Sequence, residues 1–446
     1  MPSPSTRRPA SHWVSLVIIV VLLVFAAAAA VAPGIMTGNA AAARRIATAS
    51  IFVASYLALA IGRVPGLHID RAGIALVGAS LMVASGAIPL QPAYRAIDIN
   101  TITLLLGMMI VVANLRLSGF FTLATGWLAA RAHRPITLLG AVTVVAGVTS
   151  AFLVNDAICI VLSPLVIDLT LALRRNPVPY LLAVAMASNI GSTATITGNP
   201  QNMLIGSFSG LSYSTFAAAL TPVAAFGLLV ATGFIVVLFR AEFLDRTVIA
   251  PELRCLRVNR PLVLRSLAAT AAVIALFFAG QPPAKAAIVI GAMLMLTRRV
   301  KSTRVYSEID WSLLLMFAGL FVITAGAERT LLTRHVLATV GQLHLDDVPI
   351  LTVITAALSN LVSNVPAVLV IRPFMTSLSD PGRAWLTVAM ASTLAGNLTL
   401  LGSVANLIVA EKAAQRGISI SFAAYFRVGA PVTLCTLAIG VAWLAR

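Results

Sequence analysis

Twice in this chain, 204 residues apart, an apolar run gives way to a short polar stretch and then turns apolar again. Residues 182–206 read LAVAMASNIGSTATITGNPQNMLIG, and residues 386–410 read LTVAMASTLAGNLTLLGSVANLIVA. Nine of these 25 positions are identical: Leu182, Val184 to Ser188, Thr195, Gly198 and Asn202, each with its partner. A backbone facing lipid cannot open in this way, because unsatisfied N–H and C=O groups in hydrocarbon cost several kcal/mol each. Irregular polar backbone at membrane depth survives only where it is enclosed or lines a cavity. A matching pair in two halves of one chain points to a binding site at the midplane of a transporter.

Composition fits that environment. Charged residues are 10% of the chain, where a soluble protein carries roughly 25%. Hydrophobic residues are 59%, and the mean hydropathy is +0.99. Apolar runs long enough to span recur along the whole length, which predicts an all-α polytopic membrane protein. Spans fall near 13–32, 46–62, 72–90, 99–117, 180–209, 215–239, 263–280, 284–298, 310–327, 384–411 and 421–445, about 11 in all. The first, within residues 1–40, has a longer apolar core than a signal peptide and reads as an extra transmembrane helix.

The net charge of +17 does not indicate nucleic acid, because the basic residues are scattered through short loops. They read instead as topology determinants. Placing the N-terminus and the 241–262 linker in the cytoplasm gathers most of the 31 Lys and Arg residues on that side and leaves the C-terminus outside. Cys159, Cys255 and Cys435 are too far apart in sequence for a disulfide framework or a zinc motif, so no metal site or cofactor is expected.

Two further apolar stretches, near 135–172 and 347–379, carry polar centres: LVNDAICIVLSP at Leu153–Pro164 and LVSNVPAVLVIRP at Leu361–Pro373. A polar tip in mid-segment predicts a re-entrant hairpin in each. The duplication continues here, with Asn155 against Asn364, Pro164 against Pro373, and Ile97-Asp98 against Ile309-Asp310. Each unit then has five crossings, an odd number, so the two repeats, 46–240 and 263–446, are inverted relative to each other.

Asp156, beside Asn155 at the first tip, is the sharpest functional candidate, because a carboxylate at membrane depth costs about 2.5–3.5 kcal/mol. It suits a coupling proton; sodium or substrate coordination, or capping of the turn, are its alternatives. Ser363, Asn364 and Pro366 form the uncharged second tip. The broken helices add Ser188, Asn189, Thr193, Thr195, Gly198, Asn199 and Asn202 in the first copy, and Gly396, Asn397, Thr399, Gly402 and Asn406 in the second. Half-helices that start at such breaks aim N–H groups at an anion, and the preceding carbonyls suit a cation. Asp98 and Asp310 read as N-caps and Asp168 as a solvated end. Arg372 either attracts an anion or snorkels outward. No hydrolase, metalloprotease or ATP-loop motif occurs in a suitable context, which argues against an enzyme or intrinsic ATPase.

These motifs resemble the ion transporter superfamily, in particular the arsenical pump membrane proteins and the P-protein-like permeases. There is further likeness to the citrate and divalent-anion:sodium carriers. NIGSTATITGNPQNMLIG at Asn189–Gly206 is similar to their Gly-Thr-rich loop, and Ser363-Asn364 to the start of a Ser-Asn-Thr hairpin motif. Asn155-Asp156, Gly396–Thr399 with Asn406, and Tyr425–Gly429 resemble the arsenite and P-protein branch. The resemblance implies a transport domain of hairpins and broken helices, a scaffold that is often dimeric, and elevator-like alternating access. It also implies an ion or proton site at Asn155 and Asp156 with the first broken loop, and a counterpart at Asn364 with the second, so that Asn155 or Asn364 could take sodium. The expected function is proton-coupled secondary transport of arsenite, antimonite or a small inorganic oxyanion at the plasma membrane. The alternatives are a sodium-coupled carboxylate or sulfate symporter, or a sodium/proton antiporter.

Overall fold

The computed structural model describes residues 40–61, 69–130, 134–244, 260–296, 300–333, 340 and 342–446. The expected first helix and most of the 241–262 linker lie outside these. Every regular element among the described residues is an α-helix, and eight are long and apolar enough to cross a membrane.

The first half runs α1 (Ala40–Ile61), α2 (Arg71–Ala84), α3 (Leu90–Ala96), α4 (Ile99–Ser118), α5 (Phe120–Ala130), α6 (Pro135–Phe152), α7 (Asn155–Ala172), α8 (Pro177–Ser192), α9 (Pro200–Ser209), α10 (Tyr213–Leu238) and α11 (Arg240–Leu244). The second runs α12 (Arg260–Phe278), α13 (Pro283–Met295), α14 (Ser302–Tyr306), α15 (Trp311–Leu331), α16 (Val348–Val362), α17 (Asn364–Met375), α18 (Pro381–Ala395), α19 (Val404–Ala414) and α20 (Phe422–Leu444). Helices α2, α3 and α4 each begin 212 residues before α13, α14 and α15, and α8 and α9 begin 204 before α18 and α19. Local signals set these starts. Asp98 accepts from the N–H of Asn100 at 3.0 Å and Asp310 from that of Leu313 at 2.9 Å, the expected N-caps.

Two elements depart from the sequence reading. The span expected at 72–90 stops at Ala84, where Gly86 at φ +69° turns the chain into α3. After Gly119 at φ +88°, an 11-residue helix, α5, follows α4; it is apolar but too short to read as a span.

The chain forms two compact units. The first comprises the described residues within 40–102, 310–343 and 372–374, and the second those within 103–309, 344–371 and 375–446. In the first unit α15 lies along α1 and α2. A Cβ on Gly319 would come within 2.7 Å of the Ala75 backbone, and the Tyr56 and Thr324 hydroxyls meet at 3.2 Å. In the second unit Gly107 of α4 makes the same approach to Ala287 of α13, at 2.6 Å. Gly107 and Gly319 are 212 residues apart, as are Ala75 and Ala287. The third helix of each repeat therefore packs on the second helix of the other. Arg265 donates to the carbonyls of Met293 and Leu296, at 2.8 and 2.9 Å, and so closes the C-terminus of α13 with positive charge.

The rest of the second unit positions the polar residues. Both expected hairpin stretches are interrupted, at Leu153 and Val154 between α6 and α7, and at Ser363 between α16 and α17. Ser363 takes φ +78° and ψ 160°, a conformation nearly reserved for glycine, which marks a strained tip. The legs α6 and α7 pack on each other and on α8, while α16 packs on α18. Both expected broken helices are also seen, as α8 and α9 around residues 193–199 and as α18 and α19 around 396–403.

Candidate amide-lined transport site

The two breaks are built alike. On each second half-helix one asparagine turns its Nδ2 back onto two carbonyls of its own loop. Asn202 donates to Ser192 and Thr195, both at 3.0 Å. Asn406 donates to Gly396 and Thr399, at 2.8 and 3.1 Å. These pairs correspond at the 204-residue offset. The contact replaces the helix hydrogen bonds lost at the break, so that loop carbonyls are satisfied without water. The glycines allow the close turns: a Cβ on Gly198 would lie 2.6 Å from the Ser192 Cα, and one on Gly402 2.8 Å from the Gly396 carbonyl oxygen.

The hairpin tips meet the breaks. The Asn155 N–H donates to the Gly198 carbonyl at 2.9 Å, the Ser188 hydroxyl donates to the Asn155 carbonyl at 3.1 Å, and Thr195 donates to the Ala151 carbonyl. At the second tip Ser359 donates to the Ser392 carbonyl at 2.9 Å, and Asn360 to that of Ala395 at 3.1 Å.

Asn189 joins the two copies. Its Nδ2 donates to Asn397 Oδ1 at 2.9 Å and to Asn406 Oδ1 at 3.0 Å. Its Oδ1 accepts from Asn155 Nδ2 and from the Ser403 hydroxyl, both at 3.1 Å. An amide has two N–H donors and two lone pairs, so this side chain is saturated. The reciprocal contact is present too: Asn199 donates to Thr393 at 3.2 Å, mirroring Ser403 on Asn189. A contact repeated with its members exchanged is the mark of a two-fold relation.

Backbone geometry dictates which way each amide points. The Gly396 and Thr399 carbonyls hold the Asn406 Nδ2, so its Oδ1 faces Asn189 and meets the Asn189 Nδ2. The Asn189 Oδ1 therefore faces Asn155 Nδ2, and Asn397 presents Oδ1 to Asn189. Four buried side-chain amide atoms are left without a hydrogen-bond partner among the described residues: the acceptors Asn155 Oδ1, Asn202 Oδ1 and Asn360 Oδ1, and the donor Asn397 Nδ2. Each such group costs about 1–3 kcal/mol unless a ligand satisfies it.

The cluster carries no formal charge. Among the described residues, the fully buried polar side chains include Ser, Thr, Asn and Gln but no Lys, Arg, Asp or Glu. Asp156 stands next to Asn155 in the first turn of α7 and is half-buried. Both half-helix N-termini are capped from within: the Asn202 N–H by Asn199 Oδ1 at 2.8 Å, and the Ala405 N–H by Ser403 at 3.2 Å. Those N–H groups are already taken, which weakens the sequence-based case for an anion there.

Most residues singled out from the sequence come together. Asn155, Ser188, Asn189, Asn199, Asn202, Asn397 and Asn406 belong to this buried network, while Thr195, Gly396, Thr399, Gly198 and Gly402 shape its loops. Thr193 donates only to the Asn189 carbonyl of its own helix, at 3.3 Å. The second tip differs. Asn364 accepts from Ser359 at 2.6 Å, Ser363 forms the strained turn, and Pro366 is an apolar buried wall. Asn360 and Ser359 reach the second break where Asn364 was expected. Sequence reading also passed over Gln201 and Thr393, which bond each other at 3.2 Å. Thr393 was legible in principle, since it aligns with Asn189.

Comparison with known proteins agrees with this architecture. The family model described as CitMHS, citrate transporter, matches residues 56–395. The chain belongs to the citrate transporter family. It is 29% identical to the silicon efflux transporter LSI3 of Oryza sativa subsp. japonica, over 86% of this chain and 94% of that one. It is 25% identical to a transporter of Dictyostelium discoideum named arsB, over 84% of this chain and 87% of the relative. Among solved structures it is similar to the Alcanivorax borkumensis YdaH transporter, with a TM-score of 0.55 and 14% identity over 90% of this chain and 97% of that one. This likeness concerns the fold alone. As a member of the family, the chain is a polytopic membrane transporter.

Proposed function

We propose that the protein is a proton-coupled secondary transporter of a small hydroxylated inorganic species, arsenite or antimonite or a related oxyanion. The carrying observation is the polarity of the unpartnered atoms. Asn155, Asn202 and Asn360 offer acceptors and Asn397 a donor, in a cluster without buried charge. A hydroxyl group both donates and accepts, so a neutral acid such as As(OH)3 satisfies both kinds. A bare carboxylate or sulfate only accepts, and would face three amide oxygens. The names of two relatives, a silicon efflux transporter and an arsB transporter, point the same way.

Asp156 carries the coupling proton in this reading, since it adjoins Asn155 and is half-buried at the start of α7. An elevator-like movement belongs to this reading, and both breaks and both hairpin tips lie in the second unit. The setting is the plasma membrane, with the N-terminus cytoplasmic, the C-terminus outside, and a homodimer as the working form. Sodium-coupled carboxylate transport is the second reading. It is favoured by the family's description and by the three unpartnered amide oxygens, which suit a cation.

Reconstitution into proteoliposomes with imposed pH or sodium gradients, across arsenite, citrate, succinate and sulfate, separates the two. Arsenite movement driven by a pH gradient alone is expected. Asp156→Asn should insert and fold but no longer concentrate arsenite, because an amide cannot release a proton. An Asp156→Asn protein that still does so under a pH gradient would refute the proton-carrier role. Citrate uptake requiring sodium would replace the first reading with the second.

A further inference from the structure

The two polar loops share the Asn202/Asn406 position but not the residue that faces it across the repeats. Asn202 and Asn406 each hold two loop carbonyls through Nδ2. Asn406 Oδ1 then accepts from Asn189 at 3.0 Å. Asn202 is equally buried, yet its Oδ1 has no hydrogen-bond partner among the described residues.

The cause is a residue type. Thr393 stands where the other copy has Asn189, and its side chain is one bond shorter and ends in a single oxygen. That oxygen already accepts from Asn199 Nδ2 and Gln201 Nε2, both at 3.2 Å. Threonine thus lacks the second donor with which an asparagine would reach across. The segment 199–202 faces Thr393 through Asn199 and Gln201 and leaves Asn202 Oδ1 without a donor among the described residues.

We propose that Asn189 acts as a built-in ligand that closes the second loop at Asn406 Oδ1, and that the equivalent acceptor of the first loop, Asn202 Oδ1, receives a hydroxyl donor of the cargo. This rests on the reading of a hydroxylated cargo given above. It makes the two equivalent asparagines functionally unlike: Asn202 recognises, and Asn406 is occupied by an amide of the protein. Thr393 is then a specificity-determining residue through its shortness.

Thr393→Asn supplies the first loop with the amide that closes the second. Its cargo-free melting temperature should rise, because a buried oxygen gains a donor, whereas an arbitrary change at a fully buried position lowers it. Its apparent affinity for arsenite at pH 7, read from ligand-dependent stabilisation, should fall about tenfold or more, the scale of one hydrogen bond and a filled space. Thr393→Ser keeps the hydroxyl and should stay within about twofold of wild type on that scale. On the unaltered protein, arsenite and boric acid, which carry O–H donors, should stabilise, and nitrate, which carries none, should not.

Failure of arsenite to bind or be carried by the unaltered protein would overturn the cargo reading, and the cargo-free melting temperature of Thr393→Asn would still decide the present one. A fall in that temperature, arsenite binding by Thr393→Asn equal to wild type, or an equal loss in Thr393→Ser would each overturn the inference. If Thr393→Asn fails to fold, stabilisation by nitrate equal to that by arsenite does the same.

Discussion

Asn189 uses every hydrogen-bonding group of its side chain, on four residues from two other helices and the second polar loop. It therefore positions the site and has no capacity left for cargo. Asn189→Ala would leave donors and acceptors orphaned on Asn155, Asn397, Asn406 and Ser403. A loss of roughly 3 kcal/mol or more in unfolding free energy is expected, measurable by denaturant titration in detergent. A second residue-scale prediction concerns Asp346, ahead of α16. The Ser379 hydroxyl and N–H donate to its Oδ1 at 2.7 and 2.8 Å and hold its carboxyl below the usual carboxylate range. A folded-state pKa below the unfolded value of about 3.9 gives stability that is present above that value. It is lost as pH falls through the folded pKa. Wild type should lose melting temperature more steeply than Asp346→Asn on acidification below about pH 4; parallel curves would remove this role.

At the scale of elements, glycines decide how closely helices approach. Gly107 and Gly319 bring backbones together in the two units, and Gly191 of α8 would place a Cβ 2.5 Å from the Gly147 Cα of α6. Gly140, on the same α6, has open space around it. Two opposite outcomes follow from one substitution type. Gly107→Ala should destabilise by about 1–3 kcal/mol through overpacking. Gly140→Ala should be neutral or stabilise by up to roughly 1 kcal/mol, since alanine favours helix. Thermal unfolding of both in the same detergent checks the pair, and equal effects would show that these contacts do not limit packing.

For the whole molecule the reciprocal packing matters most. The first unit takes α1 and α2 from one repeat and α15 from the other, and in the second unit α4 packs on α13. Neither half of the chain can bury its small-residue face alone. Residues 1–250 and 251–446, expressed separately, should be degraded. Expressed together they should co-purify, because the cut falls in the linker between repeats. Stable accumulation of either half alone would show that the repeats fold independently.

Much of this was legible in residue order. Spans, hairpin tips and both breaks follow from hydropathy and from a polar patch repeated at a fixed offset. Each of these is local, set by whether a backbone segment can satisfy itself in hydrocarbon. The repeat also announced that Asn202 and Asn406 are equivalents. Their different states were not legible, because each depends on a partner about 200 residues away. Asn189 and Thr393 look interchangeable as polar residues, and only distances show one saturated and the other too short. The same holds for Asn364, whose alignment with Asn155 follows the hairpin tips, while the contacts follow Ser359 and Asn360 one turn earlier. Residue order dictates where backbone must leave the helix and which side chains are available there. Tertiary structure decided which amide atoms are consumed, because a hydrogen bond depends on ångström distances and on which end of an amide two fixed carbonyls hold.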